Sequence, residues 1–227
     1  MALPKIDTPT FELEVPSTRE RHTFRPWLVK EEKVLMLANE GGQFEDMVQA
    51  CKTVVQNCSF GKVDAGKITM FDLQHLFIRC KEKSVTGTQQ FTLICGNCEH
   101  KIPYEMKLEE LAVNGEIKKG RLDLDDGIVL QLKYPTVNDT LNSTNNTFDY
   151  IKACLASVTV GEETITVEDE TPEEIENFID SLPVKAYNEM LEYFDSMPMM
   201  SHEVNYKCPE CGTENSININ GAEHFFG

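Results

Sequence analysis

Apolar residues recur with two different periods along this chain, and the alternation between them sketches an α+β fold. Phe11-Glu-Leu-Glu-Val15 alternates and predicts a strand; His22 to Phe24 returns after a turn over Ser17–Arg21, giving an N-terminal hairpin. Helical spacing then predicts Leu28–Asn39, broken by Gly41-Gly42. A second helix, Gln43–Cys58, is marked by Phe44, Met47, Val48, Cys51, Val54, Val55 and Cys58. A third, Met70–Lys83, carries Leu73, Leu76, Phe77 and Cys80, with Thr69 and Asp72 at capping-box spacing. His75 lies off that stripe and reads as exposed. Arg121–Lys133 predicts a hairpin turning at Asp126-Gly127. Residues 135–147 read as a polar loop and Phe148–Ser157 as a helix. Val158–Val160 pairs with Thr164–Val167 across Gly161-Glu162. The clearest helix start is Thr171-Pro-Glu-Glu174: a Thr cap, Pro at the first helical position and Glu three residues after the cap. Ile175, Phe178, Ile179 and Leu182 form its stripe. Pro183 stops it, and Val184–Phe194 follows as a second helix with Val184, Tyr187, Met190, Leu191 and Phe194 inward. Met197-Pro-Met-Met200 reads as a sulfur-rich connection that fills gaps in a core.

Two short strand pairs stand apart because each is interrupted by paired cysteines. Phe91-Thr-Leu-Ile-Cys-Gly-Asn-Cys98 leads into alternating Ile102, Tyr104, Met106 and Leu108; Val204-Asn-Tyr-Lys-Cys-Pro-Glu-Cys-Gly212 leads into Ile217 and Ile219. Each is a strand, a C-x2-C knuckle and a strand. Two facing knuckles supply four thiolates, the soft tetrahedral set that zinc takes in structural sites, with no position left for water. Cys95, Cys98, Cys208 and Cys211 are therefore the candidate ligands of one structural Zn2+. The gap between the pairs, 109 residues, is far longer than in an ordinary ribbon. The competing readings are two unrelated cysteine pairs, or a redox motif; the latter would open a helix within a βαβ pattern, which neither pair does. The organisation expected is an N-terminal hairpin and helices over 1–88, then a zinc-ribbon-like region over 89–227. An α/β segment over 99–207 is inserted in that region and holds an acidic helix pair at 171–196.

Composition narrows the function. The chain has 227 residues, of which 41% are hydrophobic, enough for a real core. It has no apolar run near the ~20 residues needed to span a bilayer, and its first ten residues lack the apolar stretch of a signal peptide. The sequons at Asn138, Asn142 and Asn145 then read as loop composition. Cys51, Cys58, Cys80 and Cys154 sit on apolar helical stripes, where thiols pack as small hydrophobes. That usage fits a reducing compartment. The net charge is −17. Residues 1–98 hold 12 basic and 12 acidic residues, so residues 99–227 carry the whole excess. Residues 162–195 hold 12 acidic residues against Lys185 alone. Such a surface repels phosphate, which argues against nucleic acid. It suits either a basic protein partner or simple solvation.

Nothing in the chain marks an active site. There is no Gly-rich phosphate loop, no H-E-x-x-H and no G-x-S-x-G. His22, His75, His100, His202 and His224 show no ligand spacing, although His100 and His202 lie near the knuckles. Asp123, Asp125 and Asp126 resemble part of a calcium loop, but position 134, where the bidentate Glu belongs, is Tyr. The reading is a non-enzymatic interaction protein without a small-molecule substrate. A zinc-ribbon nucleic-acid-binding or transcription regulatory protein is the alternative.

Leu3-Pro-Lys-Ile-Asp-Thr-Pro-Thr-Phe-Glu-Leu13 and Phe24-Arg-Pro-Trp-Leu-Val-Lys-Glu-Glu-Lys33 resemble the opening of a family of T-even-type phage baseplate proteins, the hub assembly and structural proteins of contractile tails. The knuckles, the acidic helix pair and the Phe225-Phe226 ending are also similar. The resemblance implies a non-enzymatic protein that helps build the central baseplate hub through contacts with other hub proteins. It places the protein in the virion baseplate, or in the host cytoplasm during assembly. No catalytic residues carry over.

Overall fold

A computed structural model describes residues 6–124, 127–143 and 147–220. Asp125, Asp126, Asn145 and the Phe225-Phe226 ending lie outside the described residues, as does the first half of the expected Asp126-Gly127 turn. The described residues form seven α-helices and antiparallel sheets of two to four strands, an α+β fold. They group into two compact units.

The first unit comprises residues up to 65, 71–114 and 199–220. The N-terminal hairpin is β1 (Phe11–Glu14) against β2 (Arg21–Phe24), with Phe11 opposite Phe24. Three helices follow close to their expected limits: α1 (Val29–Gly41), α2 (Phe44–Cys58) and α3 (Met70–Ser84). The inward faces of α2 and α3 carry the expected residues, and Val48, Val54, Leu73, Leu76, Cys51, Cys58 and Cys80 are fully buried. Each such Val or Leu contributes about 1.5–3 kcal/mol on burial. Phe44 departs from expectation. It is the first helical residue, without a turn before it to pack under, and is 44% exposed. Trp27 packs tilted against Phe77 with ring centroids 5.4 Å apart, and its amide donates to Ser84 Oγ at 2.9 Å.

Two further hairpins complete this unit. One is β3 (Thr88–Ile94) with β4 (Lys101–Lys107); the other is β10 (Met199–Lys207) with β11 (Glu214–Asn220). The short strand β5 (Ala112–Asn114) adds to the free side of β10 through Met200 and Val113. Met199 and Met200 therefore begin a strand instead of a loose connection, with Met200 in the core and Met199 half exposed. Arg79, on α3, donates to the carbonyls of Leu108 and Leu111 and ties the end of β4 to the helices.

His75 corrects the sequence reading. It is largely buried, with no hydrogen-bond partner for its Nδ1 among the described residues. Burial, then Arg79, pushes its pKa down to about 4, against weaker opposition from Asp72 and Glu14. The unfolded chain takes up a proton near pH 6.5 that the folded chain refuses until about 4. Stability is thus intact above pH 6.5 and falls as the pH drops to 4, by up to about 3 kcal/mol. Urea melts at pH 7 and 4.5 should show this loss in the wild type and a smaller one in His75→Gln. An unchanged acid slope in the variant would acquit the imidazole.

The second unit comprises 66–70 and the described residues of 115–198. Its sheet runs β6 (Gly120–Asp123), β7 (Ile128–Leu132), β8 (Leu155–Val160) and β9 (Glu163–Thr166), in that order. The helices are α4 (Val137–Asn142), α5 (Thr147–Cys154), α6 (Pro172–Asp180) and α7 (Val184–Asp195). Leu122, Leu130, Leu132, Ile151, Leu155, Val158, Ala186 and Met190 form the core. The helix expected over 148–157 stops at Cys154, and β8 takes over at Leu155, because the remaining residues pair with β7. The expected loop over 135–147 contains α4. Thr136 caps it, its hydroxyl accepting from the Asp139 amide at 3.2 Å and its amide donating to Asp139 Oδ2 at 2.8 Å. The same reciprocal cap starts α6 at Thr171 and Glu174, as the sequence predicts. Val184, expected inward, is 75% exposed, since Ala186 and Met190 supply the buried face of α7.

Candidate metal centre

The four candidate cysteines occupy the turns of the hairpins β3–β4 and β10–β11, and the two turns are built alike. The Cys95 amide donates to the His100 carbonyl at 3.0 Å, and the Cys208 amide to the Thr213 carbonyl at 2.9 Å. The Glu99 amide returns to the Cys95 carbonyl at 3.0 Å, and the Gly212 amide to the Cys208 carbonyl at 2.9 Å. Each turn closes through one left-handed residue directly after its second cysteine: Glu99 at φ 58° and Gly212 at φ 73°. A side chain there costs about 1–2 kcal/mol. Gly212→Ala should therefore lower stability by about that amount, and Glu99→Gly should raise it by about 1 kcal/mol or less after the extra freedom of the unfolded chain. Paired thermal melts check both signs; equal shifts in the same direction would contradict the matched geometry.

The likeness extends to the sulfurs. The first cysteine of each turn is buried and the second exposed. Cys95 Sγ lies 3.6 Å from Cys211 Sγ, and Cys98 Sγ 3.7 Å from Cys208 Sγ. The first thiol of each hairpin thus faces the second thiol of the other, with local twofold character. All four ligand atoms lie within 4.8 Å of one another. A tetrahedron with zinc–sulfur bonds of about 2.3 Å has edges of about 3.8 Å, so the cluster has the size that ion requires. A disulfide needs about 2.05 Å, and all four cysteines are free. The sequence-predicted ligands come together without exception, and neither nearby histidine joins them. His202 points to Glu110 at 3.8 Å, and His100 serves through its backbone carbonyl.

As free thiols, Cys95, Cys98 and Cys211 are already divided in acidity. Backbone amides of Cys98 and Asn97 lower Cys95. The Thr213 hydroxyl, its amide and the Asn97 side chain bring Cys211 down to about 5. At Cys98 the His100 amide favours the thiolate, but Cys211, burial and the remaining sulfurs outweigh it and push the thiol up to about 12. Amides aimed at sulfur are the outer contacts that thiolate–metal centres use.

Asn215 is a residue that sequence reading missed. Its Oδ1 accepts from the Gly96 amide at 3.0 Å, while its Nδ2 donates to the Thr213 carbonyl at 2.9 Å and lies 3.7 Å from Cys95 Sγ. One side chain thus bridges both turns. Tyr206 adds a second bridge, donating to the Ile94 carbonyl at 2.7 Å. An Asn three residues beyond the Cys-Gly corner was the available signal, but its partner lies 119 residues away.

Elsewhere among the described residues, no other group of three or more His, Cys, Asp or Glu is placed to hold a metal ion. No described helix is long and apolar enough to cross a membrane. No curated protein and no solved structure matches the chain. A family model does: that of the T4 bacteriophage base plate protein matches residues 8–227. The expected relationship thus spans nearly the whole sequence, and the chain belongs to that family of phage base plate proteins.

Proposed function

We propose that this base plate protein takes part in assembling the central hub of a contractile phage tail. It acts by contacts with other hub proteins, and not by catalysis. The family match over residues 8–227 carries this reading. The acidic surface around α6 and α7 supports it, since Glu173 and its exposed neighbours offer charge to a basic protein and repel nucleic acid. In the same reading Cys95, Cys98, Cys208 and Cys211 hold one zinc ion. It has a structural role only: four thiolates leave no open position, and the ion clamps two hairpins distant in sequence. The protein works in the host cytoplasm while tails form.

The test is to isolate tails and hub precursors from infected cells and look for the chain by mass spectrometry, alongside infections in which its gene is interrupted. It should be present in the hub or its precursors, and interrupted infections should accumulate incomplete tails. Absence from both preparations, with normal tails in the interrupted infection, would overturn the hub assignment.

A further inference from the structure

The second unit is acidic, with 18 Asp and Glu against seven Lys and Arg over residues 66–70 and 115–198. Four of those seven cations nevertheless line one open groove of about 760 Å³. Lys118, Lys119 and Arg121 come from β6 and the segment before it; Lys185 comes from the start of α7. Leu122 and Tyr193 provide apolar surface between them. Arg121 is held by Asp123 at 2.6 Å and Lys185 by Glu189 at 3.8 Å. Lys118 and Lys119 are exposed and make no ion pair among the described residues. Two carboxylates, Glu189 and Glu192, also line the groove, so its cations outnumber its anions by two to one.

The same unit carries the complement. Glu168 is paired with Lys133, Glu176 with Lys152, and Glu174 is spent on the cap of α6. Asp169 and Glu173, by contrast, are exposed carboxylates without an ion pair among the described residues. Between them Pro172 starts α6, which fixes both at a rigid helix entrance.

We propose that the groove of Lys118, Lys119, Arg121 and Lys185 receives the acidic entrance of α6, around Asp169 and Glu173, from a second copy of this chain. Groove and entrance are different surfaces of one unit, so the contact is head-to-tail and each copy keeps one half free. The inference rests on the base plate reading only in supposing that the chain works in an assembly. Whole-chain repulsion between copies of charge −17 opposes the contact. At physiological salt, charges more than about 8 Å apart are largely screened, leaving the local pairs to decide.

The full-length protein should be followed by analytical ultracentrifugation up to roughly 0.1 mM, a concentration that saturates micromolar contacts. Wild type should form dimers and larger species. Lys118→Glu with Lys119→Glu should weaken association roughly tenfold or more, because like charges then face each other. Asp169→Lys with Glu173→Lys should do the same from the other side. Each variant keeps the half that the other lacks, and the two reversed halves are again opposite in charge, so mixing the two should restore dimers and larger species that neither forms alone. That rescue also shows that both variants are folded. A monomeric wild type, self-association that survives both variants, or variants that fail to combine would each overturn the proposal. None of these results bears on whether the chain is found in tails.

Discussion

Stripping zinc from the four-cysteine centre is expected to unfold the paired hairpins of the first unit. Structural zinc contributes on the order of 10–16 kcal/mol in small finger domains, strongly dependent on pH because the ligands must be thiolates. Here the ion would join two turns separated by 109 residues. Closing a loop of that length by a covalent bridge is worth about 4–5 kcal/mol in chain entropy alone. Protein purified without chelator should contain close to one zinc per chain, and Cys208→Ala should lose it. Chelation should lower the melting temperature and expose amides of β10, β11, β3 and β4 to hydrogen exchange. The α2–α3 core, built around Val48, Val54, Leu73 and Leu76, should keep its protection longer. Cys51→Ala should leave the metal content unchanged, since Cys51 is fully buried on α2, away from the ligand cluster. A metal-free protein that melts like the preparation holding zinc would remove the ion from the account.

The chain shows in its spacing whatever is decided within a few residues. Helices α2 and α3 follow from periodicity, α6 from periodicity and its cap, and both knuckles from the C-x2-C pairs flanked by alternating residues. That the knuckles meet was inferable because zinc needs four ligands and each turn offers two. What stayed hidden depends on partners far along the chain. Asn215 acts on Gly96, Arg79 on Leu108, and Asp72 accepts the Ser17 amide at 2.8 Å, 55 residues away. His75 reads as exposed from its own helix, because the stripe on α3 says nothing of what covers the other face. Helix α4 is a different kind of miss. Thr136-Val-Asn-Asp139 has the same spacing as Thr171-Pro-Glu-Glu174, but it lies in a run of Asn, Ser and Thr whose side chains compete for backbone hydrogen bonds and favour turns. The burial of Val137, with the Val137 and Asn138 amides donating to the Ile68 and Gly66 carbonyls at 2.9 and 3.0 Å, favours a helical turn there.

The least expected element of the helical core is an ion pair. The apolar positions that mark α1 in the sequence are Leu28, Leu35, Met36 and Ala38, yet the residue α1 buries is Glu31, while Met36 and Leu37 are 58% and 69% exposed. Glu31 receives Arg25 through both carboxylate oxygens, at 2.9 and 3.3 Å, and also accepts the Leu28 amide at 2.8 Å. It thereby caps its own helix while neutralising a guanidinium that is itself buried. Arg25 spends a further hydrogen on the Pro26 carbonyl, and its amide donates to the Cys58 carbonyl at the end of α2. One pair thus joins the hairpin, the entrance of α1 and the exit of α2. Burial alone would raise the carboxyl, but Arg25 and the Leu28 amide outweigh it, and the folded pKa lies below the ordinary value. Its stabilisation is therefore present above the unfolded carboxylate pKa and disappears as the pH falls through the lower folded value, adding to the acid loss from His75. Glu31→Ala leaves a buried cation uncompensated and an amide without its acceptor, and should cost about 3–5 kcal/mol. Arg25→Met with Glu31→Leu removes both charges and should be far milder than either single change, which chemical denaturation of the four proteins would measure as a coupling of several kcal/mol. If the single variants cost less than about 1 kcal/mol, the pair is no more than an exposed salt bridge in effect.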